Sequence, residues 1–230
     1  MIAVGNNLGL IYLDLENYKS AYTAFSNVLT YTRKGKNNNE IFNALINLGN
    51  VAFEDHRFTF AEFAEVRKST PFGQVPTLQV DGVLVTQCDA ILRYAGKLGG
   101  LYPTDPFQAL LCDEVMYVVE EASVKLGPSF RLSGDAQKEA RLALVNGSMP
   151  VYLAWLQNQL LAHGGEYFAD NRLTVADLKV FVDVRALNSG RLDHVPTDLV
   201  EKAAPLLNAH MQRVGQNPAV LAYYAQFAGE

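Results

Sequence analysis

Ser69-Thr70-Pro71-Phe72-Gly73-Gln74-Val75-Pro76-Thr77-Leu78-Gln79-Val80-Asp81-Gly82-Val83-Leu84-Val85 is the stretch that decides the fold. Its second half turns about Asp81-Gly82. An Asp-Gly pair between two runs of apolar and β-branched residues is the strongest short-range signal for a hairpin. Thr77 to Val80 and Val83 to Val85 are therefore expected as strands. In the first half, Gly73 punctuates a turn, and Val75-Pro76 sets a residue without a backbone N–H at the mouth of the first strand. Downstream, a helix is predicted over about 89–98, closed by Gly99-Gly100. Upstream, Glu54 to Phe58 reads as a short strand and Thr59 to Lys68 as a charged helix. A strand, a helix, a hairpin and a helix in that order make an α/β layer.

Beyond the linker Leu101-Tyr102-Pro103-Thr104-Asp105-Pro106 the pattern changes. Residues 107–230 contain no convincing strand. Helices are predicted at about 107–126, 136–162, 175–187, 197–215 and 218–227, with breaks at Gly127-Pro128, Gly164-Gly165, Ser189-Gly190 and Asn217-Pro218. Thr174-Val175-Ala176-Asp177 has the form of a capping box, in which a hydroxyl and a carboxylate satisfy each other's backbone amides. The expected organisation is a small α/β domain over 51–100 and an all-helical bundle over 107–230, so the chain is mostly α.

Residues 1–50 read differently. Apolar residues recur at helical spacing through Leu8, Ile11, Tyr12, Leu15, Tyr18, Ala21, Phe25 and Val28. Asn7-Leu8-Gly9 returns forty residues later as Asn47-Leu48-Gly49, each time at the start of an apolar helix. This block resembles a tetratricopeptide-type helical repeat. A unit of that kind buries its faces only against neighbours.

Composition sets outer bounds. The 230 residues are 49% hydrophobic and 19% charged, enough to build a sizeable core and too apolar for wholesale disorder. The net charge is -5, and without a basic face or a Lys/Arg run a nucleic-acid partner is not expected. Apolar runs stop well short of the ~18 residues that span a bilayer, so no membrane association is expected. No basic region precedes an apolar core at the N-terminus, so no signal peptide is read. Cys88 and Cys112 are too few for a disulfide framework, and no Cys/His group has metal-ligand spacing. The expectation is a cytoplasmic globular protein without a metal.

The stretch from Ser69 to Leu78, with Asp81-Gly82 and then Gln87-Cys88-Asp89-Ala90-Ile91-Leu92-Arg93-Tyr94, resembles the glutathione-recognition half of the thioredoxin-like domain in cytosolic glutathione transferases. Tyr167-Phe168 and Leu173-Thr174-Val175-Ala176-Asp177 resemble the segment that opens the central helix of that family's second domain. The resemblance covers about residues 53–230 and is nearest the tyrosine-type classes, sigma and mu. It implies glutathione as co-substrate and conjugation of its thiolate to small hydrophobic electrophiles. It also implies that Pro76 is cis and that Val75 pairs with the cysteinyl part of glutathione as an added strand. Gln74 belongs to the same loop. Phe63 and Arg67 fall where the family holds the glycyl end, and Gln87 and Cys88 where it holds the γ-glutamyl carboxylate at a helix N-terminus. The family has a Gln-Ser pair there. A thiol is a weaker donor and a poorer cap than a hydroxyl, so weaker binding is expected from Cys88.

The thiolate needs a hydrogen-bond donor to favour its charged form. In the resembled classes this is a tyrosine on the first strand. Tyr31 in Leu29-Thr30-Tyr31 holds that position if 25–55 form the first strand, first helix and second strand. Tyr31 is instead a helix-face residue if 1–50 are repeat-like helices that replace them. On that second reading the whole is a non-catalytic, glutathione-transferase-like interaction module. The electrophile pocket is expected along the helix carrying Met116, Tyr117 and Glu120, and the resemblance implies a homodimer.

Overall fold

The computed structural model describes residues 59–225. The predicted strand at 54–58, the repeat-like block and Tyr31 lie outside them. Contacts divide the chain into two units, Met1–Ile91 and Leu92–Glu230.

The described part of the first unit begins with α1, Phe60–Ser69. Its N-cap is Thr59. The Glu62 carboxylate accepts from the Thr59 amide at 2.7 Å, and Thr59 Oγ1 accepts from the Glu62 amide at 3.3 Å. This reciprocal pair satisfies two amides that the helix itself leaves open. A 3-10 turn, Pro71–Gly73, follows. Then come β1, Thr77–Val80, and β2, Val83–Thr86. They pair antiparallel, with Thr77 opposite Thr86 and Val80 opposite Val83. Both central turn residues are left-handed, Asp81 at φ 48° and Gly82 at φ 82°, as a turn matched to the strand twist requires. The hairpin is the one expected, with β2 one residue longer.

Helix α2, Cys88–Leu98, begins in the first unit and runs into the second. In the second unit it is followed by α3, Pro106–Leu126, and a 3-10 turn, Gly127–Arg131. Next are α4, Gly134–Asn146, α5, Ser148–Ala162, and α6, Val175–Asn188. The chain ends in α7, Leu199–Ala203, α8, Pro205–Gly215, and α9, Pro218–Ala225. Two expectations are corrected here. The single helix read over 136–162 is two, broken at Gly147, whose φ of −119° and ψ of −98° are not helical. A Cβ there would sit 2.7 Å from the Ala143 carbonyl oxygen, so the break needs glycine. The single helix over 197–215 is also two. Ala204 is non-helical, and Pro205 opens α8 at a position whose missing N–H costs nothing.

The core of this unit is built from helical faces. On α3, Cys112, Val115, Met116, Val119 and Ala122 are buried at three- and four-residue spacing. They meet Leu153, Leu156 and Leu160 of α5 and Val180, Val184 and Leu187 of α6 within one apolar cluster. Each large aliphatic side chain removed from water contributes roughly 1.5–3 kcal/mol. Gly96 of α2 lets the chain pass close to α6, since a Cβ would stand 2.5 Å from Val175 Cγ1 and 3.3 Å from Tyr102 Cβ.

One carboxylate organises the start of α6. Asp177 is fully buried and its Oδ2 accepts from the Thr174 amide at 2.8 Å and from Thr174 Oγ1 at 2.7 Å. Its Oδ1 accepts from the Phe168 amide at 3.1 Å and lies 3.0 Å from His210 Nε2 of α8. The Phe168 ring meets His210 edge-on at 5.1 Å. A buried charge is tolerated only when hydrogen-bonded this fully. The capping box read from the sequence is therefore also the knot that ties α6 to α8 and to the loop before it.

Candidate glutathione site

The hairpin register sets the geometry of the site. Because Thr77 and Thr86 are the terminal pair, Val75-Pro76 and Gln87-Cys88 leave the two strands at the same end. The Val75–Pro76 peptide is cis, and Val75 is 42% exposed. The preceding residues are a tight turn, with Phe72 at φ 62° and Gly73 at φ 61°. Gln74 caps this turn by donating its amide to the Pro71 carbonyl at 3.4 Å.

Helix α1 delivers two side chains to that turn. Phe63 and Arg67 are one helical turn apart, and the Arg67 guanidinium lies over the Phe63 ring at 5.8 Å from its centroid. A Cβ on Gly73 would be 3.4 Å from Arg67 Nε and Nη2, so the cation rests directly beside the turn. Such a planar, permanently charged fork suits a carboxylate.

On the other strand exit, Gln87 holds φ 76° and its carbonyl accepts the Ile91 amide at 3.0 Å, making it the last residue before α2. Side chains other than glycine, Asn and Asp seldom adopt this left-handed conformation, which costs about 1–3 kcal/mol and concentrates at functional sites. The first amides of α2 follow it, and a helix N-terminus favours negative charge. Cys88 is partly exposed there, and Asp89 is buried.

Thus Phe63, Arg67 and Gln74 gather at the turn, and Val75, Pro76, Gln87 and Cys88 at the hairpin mouth. Tyr31 lies outside the described residues. In the second unit, Met116 is fully buried in the core. Tyr117 is 53% exposed, and its hydroxyl accepts from Arg93 Nη2 at 2.8 Å. Arg93 Nε also meets Asp113 Oδ1 at 3.0 Å, and the Tyr102 hydroxyl donates to the same oxygen at 2.8 Å. Burial, aided by Asp113, pushes the Tyr102 phenol up to about 12, so it stays a donor. Glu120 pairs with Lys179 of α6 at 2.8 Å. Sequence reasoning passed over Lys179 and Asp183. The available signal was a pair of opposite charges one turn apart on that helix, between Asp177 and Arg185.

A cis proline leading into an antiparallel hairpin, a helix N-terminus beside it, and a following all-helical unit agree with the expected thioredoxin-like layer followed by a helical bundle. The profile of the glutathione S-transferase N-terminal domain matches residues 28–97, and that of its C-terminal domain matches residues 127–226. The chain belongs to the glutathione S-transferase family. It is 30% identical over 187 residues to a glutathione S-transferase of Anopheles gambiae, covering 79% of this chain and 87% of that one. It is 32% identical over 134 residues to glutathione S-transferase 1 of Ascaris suum, covering 56% of this chain and 65% of that one. Among solved structures, prostaglandin synthase D of Nilaparvata lugens superposes with a TM-score of 0.67 at 27% identity, over 76% of this chain and 85% of that one. The helical second unit and the α/β character of the first agree with this family. Among the described residues no helix is long and apolar enough to cross a membrane.

Proposed function

We propose that the chain binds glutathione at the mouth of the β1–β2 hairpin and transfers its thiolate to small hydrophobic electrophiles. The observation that carries this reading is the convergence of Val75-Pro76 and Gln87-Cys88 at one end of the hairpin, with the Arg67 cation beside the adjoining turn. The exposed backbone of Val75 pairs with the cysteinyl part as a short added strand. The amides at the start of α2, with Gln87 and Cys88, take the γ-glutamyl carboxylate. Arg67, steadied by Phe63, takes the glycyl carboxylate. The N-terminal domain match begins at residue 28, before Tyr31, which supports Leu29-Thr30-Tyr31 as the first strand and Tyr31 as donor to the thiolate.

Calorimetric titration of the protein with glutathione tests the site. Saturable binding is expected, weakened about tenfold in Arg67→Ala, since a charge-assisted hydrogen bond contributes roughly 1.5–3 kcal/mol. Absence of binding, or equal affinity in the variant, overturns the assignment.

A cytoplasmic homodimer completes the reading. On α3, Phe107, Leu110, Tyr117 and Val124 are 63%, 59%, 53% and 63% exposed. They recur at three- and seven-residue intervals along one face. An exposed apolar stripe of that length is costly in water and suits a matching surface on a second copy. Sedimentation equilibrium at twice the chain mass supports this surface, and a Tyr117→Glu variant sedimenting as the wild type argues against it.

A further inference from the structure

Asn146 and Gly147 form the chain's one Asn-Gly pair, and they stand at the corner between α4 and α5. Asn146 is exposed and is the last residue of α4. Gly147 is exposed as well and leaves the helical region at φ −119° and ψ −98°. The Asn146 side chain borders an open groove along α4 with Lys138, Glu139 and Leu142, so water has access to it. Among the described residues no hydrogen bond holds its carboxamide. The Gly147 amide donates to the Leu144 carbonyl at 3.2 Å, and the last turn of a helix frays. When that turn opens, the amide nitrogen comes within reach of the Asn146 carboxamide carbon. Residue 147 carries a hydrogen in place of a side chain, so nothing hinders the approach. The fold cannot protect the pair by substitution, because a Cβ at Gly147 would stand 2.7 Å from the Ala143 carbonyl oxygen.

We infer that Asn146 is a self-modifying site, converted by water to aspartate and isoaspartate with loss of ammonia, and that the product loosens the α4–α5 corner. The Gly147 nitrogen gives up its proton to hydroxide and bonds to Asn146 Cγ. The Cγ–Nδ2 bond breaks, and the amide group takes a proton from water and leaves as ammonia. Water then opens the five-membered imide. Cleavage at Cγ restores the ordinary main chain and leaves aspartate. Cleavage at the main-chain carbonyl leaves isoaspartate, with the backbone running through Cβ and Cγ. Nothing is oxidised or reduced. Either product puts a carboxylate where the Ala143 and Leu144 carbonyls already form the negative end of the α4 dipole. Isoaspartate also adds a methylene to the main chain, which draws Gly147 away from Leu144. Two residues further on, Met149 is buried in the core at 5% exposure, so a disturbance at this surface corner reaches the packing. The inference concerns the second unit alone and stands apart from glutathione binding.

The experiment follows the folded full chain in warm, mildly alkaline buffer. Samples are digested with pepsin in acid, where the reaction is slow, and the peptides are weighed by mass spectrometry. Isoaspartate is counted by enzymatic methylation of its free α-carboxyl. Asn158 of α5 is the internal control, being exposed, helical and followed by Gln159. Asn146 is expected to convert at least about tenfold faster than Asn158, and faster still as the pH is raised. In Asn146→Gln the corner peptide is expected to keep its mass over the same time. Asn146→Asp carries one of the products from the start. Hydrogen exchange at its Gly147 amide is expected to be several-fold faster than in the wild type, since the corner opens more often. Conversion of Asn146 no faster than that of Asn158 overturns the site. Wild-type exchange at Gly147 in Asn146→Asp overturns its effect on the corner.

Discussion

Thr77 and Thr86 close the open end of the β1–β2 hairpin as its last pair, and from this pair the two chain segments that carry the candidate site diverge. The cis peptide and the helix N-terminus are thereby neighbours, although ten residues of chain lie between Pro76 and Gln87. The turn at Asp81-Gly82 sets that register, since a one-residue slip would send every side chain of the hairpin to the opposite face.

At the hairpin mouth, Cys88→Ser restores a hydroxyl at the first position of α2. A hydroxyl is a better donor and cap than a thiol. Glutathione is expected to bind several-fold more tightly, by roughly 0.5–1.5 kcal/mol. A titration showing unchanged or weaker affinity would remove residue 88 from the γ-glutamyl contact.

The buried knot around Asp177 makes a stability prediction. Thr174→Ala loses the cap and is expected to cost about 0.5–2 kcal/mol. Asp177→Ala strands the Phe168 and Thr174 amides and His210 Nε2 without their acceptor, and is expected to cost more, about 3–5 kcal/mol. Denaturant midpoints of the two variants measure this. Equal losses would show that the carboxylate does no more than cap α6.

Close approach at Gly96 gives another. Gly96→Ala places a methyl 2.5 Å from Val175 Cγ1, so α2 or α6 must shift. The expected loss is about 1–3 kcal/mol, despite alanine's better helix propensity. A variant as stable as the wild type would mean that Val175 rotates away freely.

Asp183 links stability to pH. Its carboxyl is raised from 3.8 to about 6 in the folded chain by burial. Below 3.8 both folded and unfolded chains hold the proton, and between 3.8 and 6 only the folded chain does. The folded state therefore loses stability from this group as pH rises through that window, and the penalty is complete above it. Asp183→Asn is expected to be more stable than the wild type near neutral pH, by on the order of 1–3 kcal/mol, and equal to it in acid. A stability difference that does not change with pH would show that the carboxyl titrates normally.

Much of this molecule is legible from local chemistry. Asp81-Gly82 announces its turn because few residues accept left-handed backbone at two successive positions. Thr174 and Asp177 announce a helix start because their side chains answer adjacent amides. The two helix breaks were harder to read. Gly147 and Ala204 interrupt stretches whose apolar spacing is continuous, and the sign lay in Pro150 and Pro205, each in a first helical turn. Met116 shows what periodicity leaves open. It falls one residue from exposed Tyr117, and which of the two faces the core depends on α5 and α6, which are distant in sequence. Lys179 and Asp183 escaped notice for the same reason, since their partners Glu120 and Ser123 lie about sixty residues away.

The central claim is that this chain binds glutathione and holds it as a thiolate. A difference ultraviolet spectrum of glutathione with the purified protein at neutral pH tests it without any choice of second substrate. A thiolate absorbance band is expected in the wild type and is expected to be lost in Tyr31→Phe while glutathione still binds. A wild-type spectrum without that band, at glutathione concentrations that saturate the site, would contradict the account and leave a binding module that does not activate its ligand.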